Sequence, residues 1–405
     1  MRKVSRQSQG DSAGLLFCDL TQSWSEQGGG VRTYLVNKRN HIIERGRDRH
    51  LLIVPGAIDA VVEDGRAITV TIASRHVPGS PNYRLLLRST AARAALERFK
   101  PDLIECQDAY NLPWAAIAFR KRHPRTALVA SYMTDFPTVY VARPLARLVG
   151  SAASATLGKI GYSYLARLYN HFDATCALSE AGGAAKLRAL GVERVEVTPL
   201  GVELDEFSPA KCDRALRCEL GLSDGQPLLI YAGRLDGEKK PDVVVDAFRR
   251  LPAELGAQLV LIGDGPLRHT IAKLGDKRIH LPGFVSGRAE LARWLASADI
   301  YVSGMADETF GVSIVEAQAS GLPVVGVAAG AMIDRVSAAT GRLGPVGDGA
   351  AMAANILEVL NADRQAMAAA ARANALQYSW RRSMEIIFDG VYPRALERRR
   401  LLAAG

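Results

Sequence analysis

Two carboxylates eight residues apart, Glu308 and Glu316, stand in the run DETFGVSIVE. Eight helical residues span ~12 Å, a separation suited to the sugar end and the ribose end of one sugar nucleotide. Where the helix opens near Gly311, free backbone N–H groups offer a site for phosphate between them. The competing explanation makes Glu308 a first-turn acid complementing the helix dipole and Glu316 a solvent-facing residue. Glu316, however, lies in the nearly uncharged run GVSIVEAQASGLPVVGVAAGAMI, where a carboxylate needs a partner.

A second stretch, YAGRLDGEKKP, reads as a strand end, a turn and a helix start. Ligands of parallel α/β sheets bind at such carboxyl ends. Arg234 as a bidentate fork and Lys239 as a point charge suit a diphosphate without a metal. Alone, these charges would more often be solvated surface; with the two glutamates in the same half, the balance shifts to function. A third stretch, QGGGVRTY, puts Gly28, Gly29 and Gly30 between the first strand and first helix, where a backbone can approach a ligand closely. It is not G-x-G-x-x-G, and no acidic residue ends the next strand, so a dinucleotide site is poorly supported. A tight turn explains the run equally well.

The elements that must carry these residues alternate short β-rich apolar runs with helical stretches, the pattern of βαβ units and a parallel sheet, twice over. In the first half, strands are expected over residues 14–20, 51–54, 103–105, 127–132 and 174–178, a helix over 31–45 and a hairpin turned at Asp64-Gly65. Ser179 should cap a helix that Gly191 ends. In the second half, strands are expected over 228–232, 258–262, 279–281, 299–303 and 323–327, with residues 204–227 as the linker and a helix from 379 onward.

The chain has 405 residues and 48% hydrophobic side chains, which excludes disorder, collagen and coiled coil and suggests two domains. No apolar stretch reaches the ~18 residues of a membrane span, and the basic N-terminus has no apolar region behind it, so export is not expected. The five cysteines, 18, 106, 176, 212 and 218, have no C-x-x-C spacing, which argues against a disulfide framework or structural zinc and suits a cytoplasmic setting. The net charge of +9 is uneven: residues 1–195 carry 27 basic and 16 acidic side chains. Charge alone cannot choose among nucleic acid, an anionic membrane or an acidic substrate. No recognition motif supports nucleic acid, and none is expected as partner.

In order along the chain, GGGVRTYL, AGRLDGEKKPD, LIGDGPLR, HLPGFV and ETFGVSIVEAQASGLPVV resemble the motifs of glycosyltransferase family 4, retaining enzymes of the GT-B fold. The segment SYMTDFP is similar to the S-Y-H-T-D-F-P of bacterial glycolipid-directed mannosyl- and glucosyltransferases. The resemblance implies an α/β fold of two Rossmann-like domains facing each other across a cleft. Residues 1–200 would bind the acceptor, 201–378 the nucleotide sugar, and 379–405 would cross back onto the first domain. It implies that Glu308 holds donor-sugar hydroxyls and Glu316 the ribose diol, and that Arg234 and Lys239 bind the diphosphate as it leaves. Phe310, Gly311 and Val312 would present backbone amides, Gly29 and Gly30 would close from the other domain, and Gly283, Phe284 and Val285 would lie near the base. Met133 and Asp135 are the acceptor-side candidates. No protein nucleophile, metal or cofactor is expected beyond the nucleotide-diphosphate sugar as co-substrate.

Met133 departs from the family, which commonly has a histidine there at the donor-sugar end, and a thioether does not usefully hydrogen-bond a hydroxyl. Three explanations stand: a donor such as a sugar without a 6-hydroxyl, another group in the histidine's place, or a non-catalytic nucleotide-sugar-binding subunit. The acceptor is expected to be a glycolipid or polysaccharide, with a small soluble or natural-product acceptor as the alternative. Residues 136–169, with Arg143, Arg147, Lys159 and Arg167, suit either an anionic membrane surface beside a lipid acceptor or an amphipathic, core-facing helix pair with basic rims. Arg398, Arg399 and Arg400 are similarly ambiguous. The expected location is the cytoplasm, with a peripheral position on the inner face of the cytoplasmic membrane as its extension.

Overall fold

A computed structural model describes residues 14–25, 29–77, 80–138, 151–223 and 225–404. The N-terminal segment before residue 14, Gln27 and Gly28 of the glycine run, and Arg143 and Arg147 lie outside the described residues.

Two main sheets form. The first contains β1 (Leu16–Leu20), β2 (Arg49–Gly56), β3 (Ala60–Asp64), β4 (Ala67–Ala73), β7 (Leu103–Cys106), β8 (Ala127–Tyr132), β9 (Ala174–Ala177) and β10 (Val195–Val197), in the order β10-β9-β8-β7-β1-β2-β4-β3. A separate antiparallel pair joins β5 (Arg75–Val77) to β6 (Ser80–Leu85). The sequence LFCDL of β1 is buried throughout, as expected of a strand paired in parallel on both sides, here with β2 and β7. The β3–β4 hairpin is antiparallel, and its edge strand β3 is largely exposed, with Glu63 and Asp64 among its solvent-facing residues.

The second sheet contains β11 (Leu228–Ala232), β12 (Gln258–Ile262), β13 (Ile279–Gly283), β14 (Ile300–Val302), β15 (Val324–Val327) and β16 (Gly341–Gly344), in the order β13-β12-β11-β14-β15-β16. Every pairing in it is parallel. The strand order reverses between β11 and β14, and ligands of doubly wound sheets bind at the carboxyl ends flanking such a reversal. Its core is a single apolar cluster that includes Leu229, Tyr231, Phe248, Leu259, Ile300, Val325 and Ile356.

The chain divides into two compact units, one of residues 1–131, 168–175 and 388–405, the other of residues 132–167 and 176–387. In the first unit the helix Tyr392–Ala404 and the turn before it pack beside β1: the Phe388 and Tyr392 rings lie 5.3 and 5.4 Å from Phe17. The expected elements all form. Short β10 and β16, spelled VEV and GRLG, carry no apolar run that would announce them.

Among the described residues, no helix is long and apolar enough to cross a membrane.

Candidate functional site

The loops after β11 and β14 flank the reversal point of the second sheet, and both carry the charged residues singled out above. After β11, the Asp236 carboxylate accepts the backbone N–H groups of Glu238 (3.1 Å) and Lys239 (3.0 Å), a side-chain turn that fixes where Lys239 leaves the backbone. The Lys239 ammonium then donates to Glu308 Oε1 at 2.8 Å. Arg234 leaves the same loop, but its guanidinium is held by Asp236 and by Glu238 (2.9 Å) and is largely exposed. The structure therefore joins Lys239 to Glu308, while Arg234 stays within its own loop.

Only Val312–Ala319 is helical, so Glu308 stands in the preceding loop rather than on the helix. Gly311 caps that helix in the left-handed conformation (φ 82°), which an L side chain would resist, and no side chain caps the helix start. The first-turn N–H groups, beside Val312, are thus open to an anion. Phe310 is buried, its carbonyl accepting from Arg335 (3.1 Å) and its ring edge-on to Tyr378.

Further contacts hold the Glu308 loop from outside the motif. The Glu308 carbonyl accepts from Ala331 N–H (2.8 Å), and the Thr309 carbonyl accepts from Ser179 Oγ (2.8 Å). Gly182 lies so close that a Cβ there would sit 2.8 Å from the carbonyl oxygens of both Glu308 and Thr309. Thr309 Oγ1 donates to the Met133 carbonyl at 2.9 Å, which brings the SYMTDFP segment beside the glutamate loop. Asp135, two residues on, is buried and engaged: Lys186 donates to it at 2.6 Å and Tyr162 at 2.8 Å. Burial pushes its carboxyl up, but the Lys186 and Tyr162 contacts outweigh that and hold it below the ordinary range.

Glu316 is only 3% exposed. Its Oε1 lies 2.7 Å from the Arg288 guanidinium as an ion pair, yet accepts no well-aligned hydrogen bond. Burial pushes its carboxyl up to about 7 despite the opposing pull of Arg288. Of its two explanations in the sequence, solvent exposure is thus removed. Gly283 ends β13, its carbonyl accepting from Gly263 N–H (2.9 Å); Val285 is half-buried and Phe284 is 79% exposed.

Gly29 and Gly30 belong to the first unit, where Gly29 (φ 110°) precedes the helix Gly30–Glu44. That unit has its own polar groups at the carboxyl ends of β1 and β7: Asp108 accepts from Thr21 Oγ1 (2.7 Å) and Gln22 N–H (2.6 Å). Sequence reasoning missed Asp108, Asp236, Arg288, Thr309 and Lys186, and read Ser179 only as a helix cap. For Asp236 the signal was available, an Asp two and three residues before the N–H groups it accepts; for the others it was not.

Residues 28–206 match the family described as Glycosyltransferase Family 4, and residues 226–362 the family described as Glycosyl transferases group 1. A GDP-mannose-dependent alpha-(1-6)-phosphatidylinositol dimannoside mannosyltransferase of Mycobacterium tuberculosis is 29% identical over 326 residues, covering 78% of this chain and 81% of that protein. A GDP-mannose-dependent alpha-mannosyltransferase of the same organism is 28% identical over 380 residues, covering 91% and 93%. Among solved structures, a sucrose-phosphate synthase from Thermosynechococcus elongatus superposes with a TM-score of 0.73 at 19% identity, covering 97% of this chain and all of that one, a likeness of fold.

Proposed function

Since the chain belongs to glycosyltransferase family 4, retaining enzymes of the GT-B fold, we propose that it moves mannose from GDP-mannose to a hydroxyl of a glycolipid at a membrane surface. The observation that carries the donor half of this reading is the Lys239–Glu308 pair at the strand-order reversal, beside an uncapped helix start and a buried Glu316. The donor is proposed from the GDP-mannose dependence of both mycobacterial relatives, and the acceptor from the phosphatidylinositol dimannoside of the first.

In this reading Glu308 accepts from hydroxyls of the donor sugar and Glu316 from the ribose diol. Lys239, Arg234 and the first-turn N–H groups of the helix Val312–Ala319 face the diphosphate. The acceptor oxygen attacks the anomeric carbon on the face the diphosphate leaves, and its proton passes to a leaving phosphate oxygen. The C–O bond to the diphosphate breaks as the new one forms, so stereochemistry is retained without a protein nucleophile. Catalysis then rests on positioned cations and backbone dipoles that stabilise the departing diphosphate. Because Lys239 and Arg234 supply positive charge, turnover should need no divalent metal and should survive EDTA.

The membrane part of the reading is supported by the lipid acceptor of the first relative and by the basic balance of the first half. The test is nucleotide release by the purified chain from UDP-, GDP-, ADP- and dTDP-sugars, with and without a membrane-lipid extract. Lipid-dependent release from GDP-mannose supports the reading. Release from another donor, or release that only a soluble acceptor stimulates, replaces the corresponding part of it.

A further inference from the structure

Glu316 would be a poor ribose acceptor if it were left to burial alone. A carboxylate accepts from both hydroxyls of a diol, whereas a protonated carboxyl must spend one oxygen as a donor. Taking that carboxylate out of water favours the protonated form unless a cation opposes it. The groups that face it are few. Arg288 opens the helix Arg288–Ala296 and lies 2.7 Å away; Glu203 shares the same guanidinium; the Tyr301 hydroxyl, on β14, contacts Ser313 Oγ at 2.8 Å and the Ala232 carbonyl at 3.2 Å. Arg288 is the one cation among these three. Its guanidinium donates to Glu203 and lies 4.6 Å above the Phe207 ring, so it is fixed from two further sides.

We propose that Arg288 is a positioning residue of the donor site: held by Glu203 and Phe207, it supplies the charge that keeps Glu316 in the carboxylate form a ribose diol requires. This rests on the reading of Glu316 as the ribose acceptor. Arg288 acts through Glu316. Glu203 acts on the same balance with the opposite sign, since its negative charge draws on the shared guanidinium and disfavours a second carboxylate beside it.

The consequence is a nucleotide affinity whose pH dependence these residues set. The diol prefers the ionised acid, so affinity falls as pH drops through the Glu316 pKa, which lies at about 7 with Arg288 in place. Removing Arg288 raises that midpoint; neutralising Glu203 lowers it.

The experiment is calorimetric titration of the full chain with GDP, and in parallel with UDP, from about pH 5.5 to about pH 9.5. The proteins compared are the wild type, Arg288→Gln, Arg288→Lys, Glu203→Gln and Glu316→Gln. We expect Arg288→Gln to move the midpoint up by about one pH unit or more, which weakens binding roughly threefold or more near pH 7.5 and recovers it at the alkaline end. Arg288→Lys should keep most of the wild-type profile, and Glu203→Gln should shift it down. A uniform loss in Arg288→Gln at every pH, with the midpoint unmoved, overturns the proposal, as does a Glu203→Gln shift in the same direction as Arg288→Gln. If Glu316→Gln binds as tightly as the wild type at every pH, the ribose reading itself fails, whatever Arg288 does.

Discussion

The Lys239 ammonium donates to Glu308 across 2.8 Å, although the two residues are 69 positions apart and leave different strands. The strand order explains the meeting: β11 and β14 are neighbours in the sheet, and the loops at their carboxyl ends flank the point where the order reverses. In the proposed reading, the cation assigned to the diphosphate and the carboxylate assigned to the donor sugar are therefore one pair, and each fixes the other's orientation. Glu308→Gln and Lys239→Met should each lower kcat roughly 10²-fold, and the double variant should be no worse than the poorer single one. Because both side chains are partly exposed, stability should change by no more than about 1 kcal/mol. Steady-state kinetics with thermal melts of the three variants check both statements.

Arg234 is in a different position. Its guanidinium is already spent on Asp236 and Glu238, so a diphosphate must compete for it. Arg234→Ala should lower kcat/KM by ~10²-fold, as loss of a positioned donor does. Glu238→Gln, which removes one competitor, should instead tighten nucleotide binding a few-fold, on the order of 0.5 to 1 kcal/mol. Equilibrium titration with GDP distinguishes the two directions.

The ribose role proposed for Glu316 sets function against stability. Its folded-state pKa, about 7, lies above the ordinary 4.5, so the folded protein holds a proton that the unfolded chain has released over that interval. Stability therefore falls as pH rises from about 4.5 to about 7, and the cost above pH 7 is about 3 kcal/mol. Glu316→Gln should be more stable than the wild type at pH 8 by up to about that amount and should match it near pH 4. Urea denaturation at the two pH values reads the difference, and the same variant should bind nucleotide more weakly.

The first unit contains a buried charge network that the C-terminal helix completes. Lys38 donates to Asp19 (2.7 Å) and Glu105 (2.9 Å), His50 contacts Asp19 (2.7 Å), and Glu105 also accepts from Ser131 (2.7 Å), Tyr34 (3.0 Å) and Tyr392. All of these side chains are buried. Tyr392→Phe removes one donor and should cost about 1 to 2 kcal/mol. Lys38→Met leaves two buried carboxylates facing each other and should cost about 3 to 5 kcal/mol. Chemical denaturation of the full chain measures both.

That network also shows where the sequence is silent. A charge count treats Lys38, Asp19 and Glu105 as surface, and nothing in their local spacing says that two strands and a helix gather them in one dry place. The strands themselves were legible because parallel strands buried on both faces spell mostly apolar runs, as in LFCDL and LLIYA. So was the burial of Glu316, from the uncharged run around it. Its partner Arg288 was not, because 28 residues and a change of element separate them. The hydrogen bond from Thr309 to Met133 joins residues 176 apart, and only the folded chain reveals it. The helical spacing of the two glutamates also needed correction, since Gly311 ends the loop and only Glu316 lies on the helix.

The central claim is that this site transfers a sugar from a nucleotide donor with retention. The most direct measurement is the anomeric configuration, by NMR, of the product formed from GDP-α-mannose and lipid extract by the wild-type chain, with Glu308→Gln as control. The account predicts an α-linked product that the control fails to make at more than about a hundredth of the rate. A β-linked product, or α product made equally well by Glu308→Gln, would contradict it.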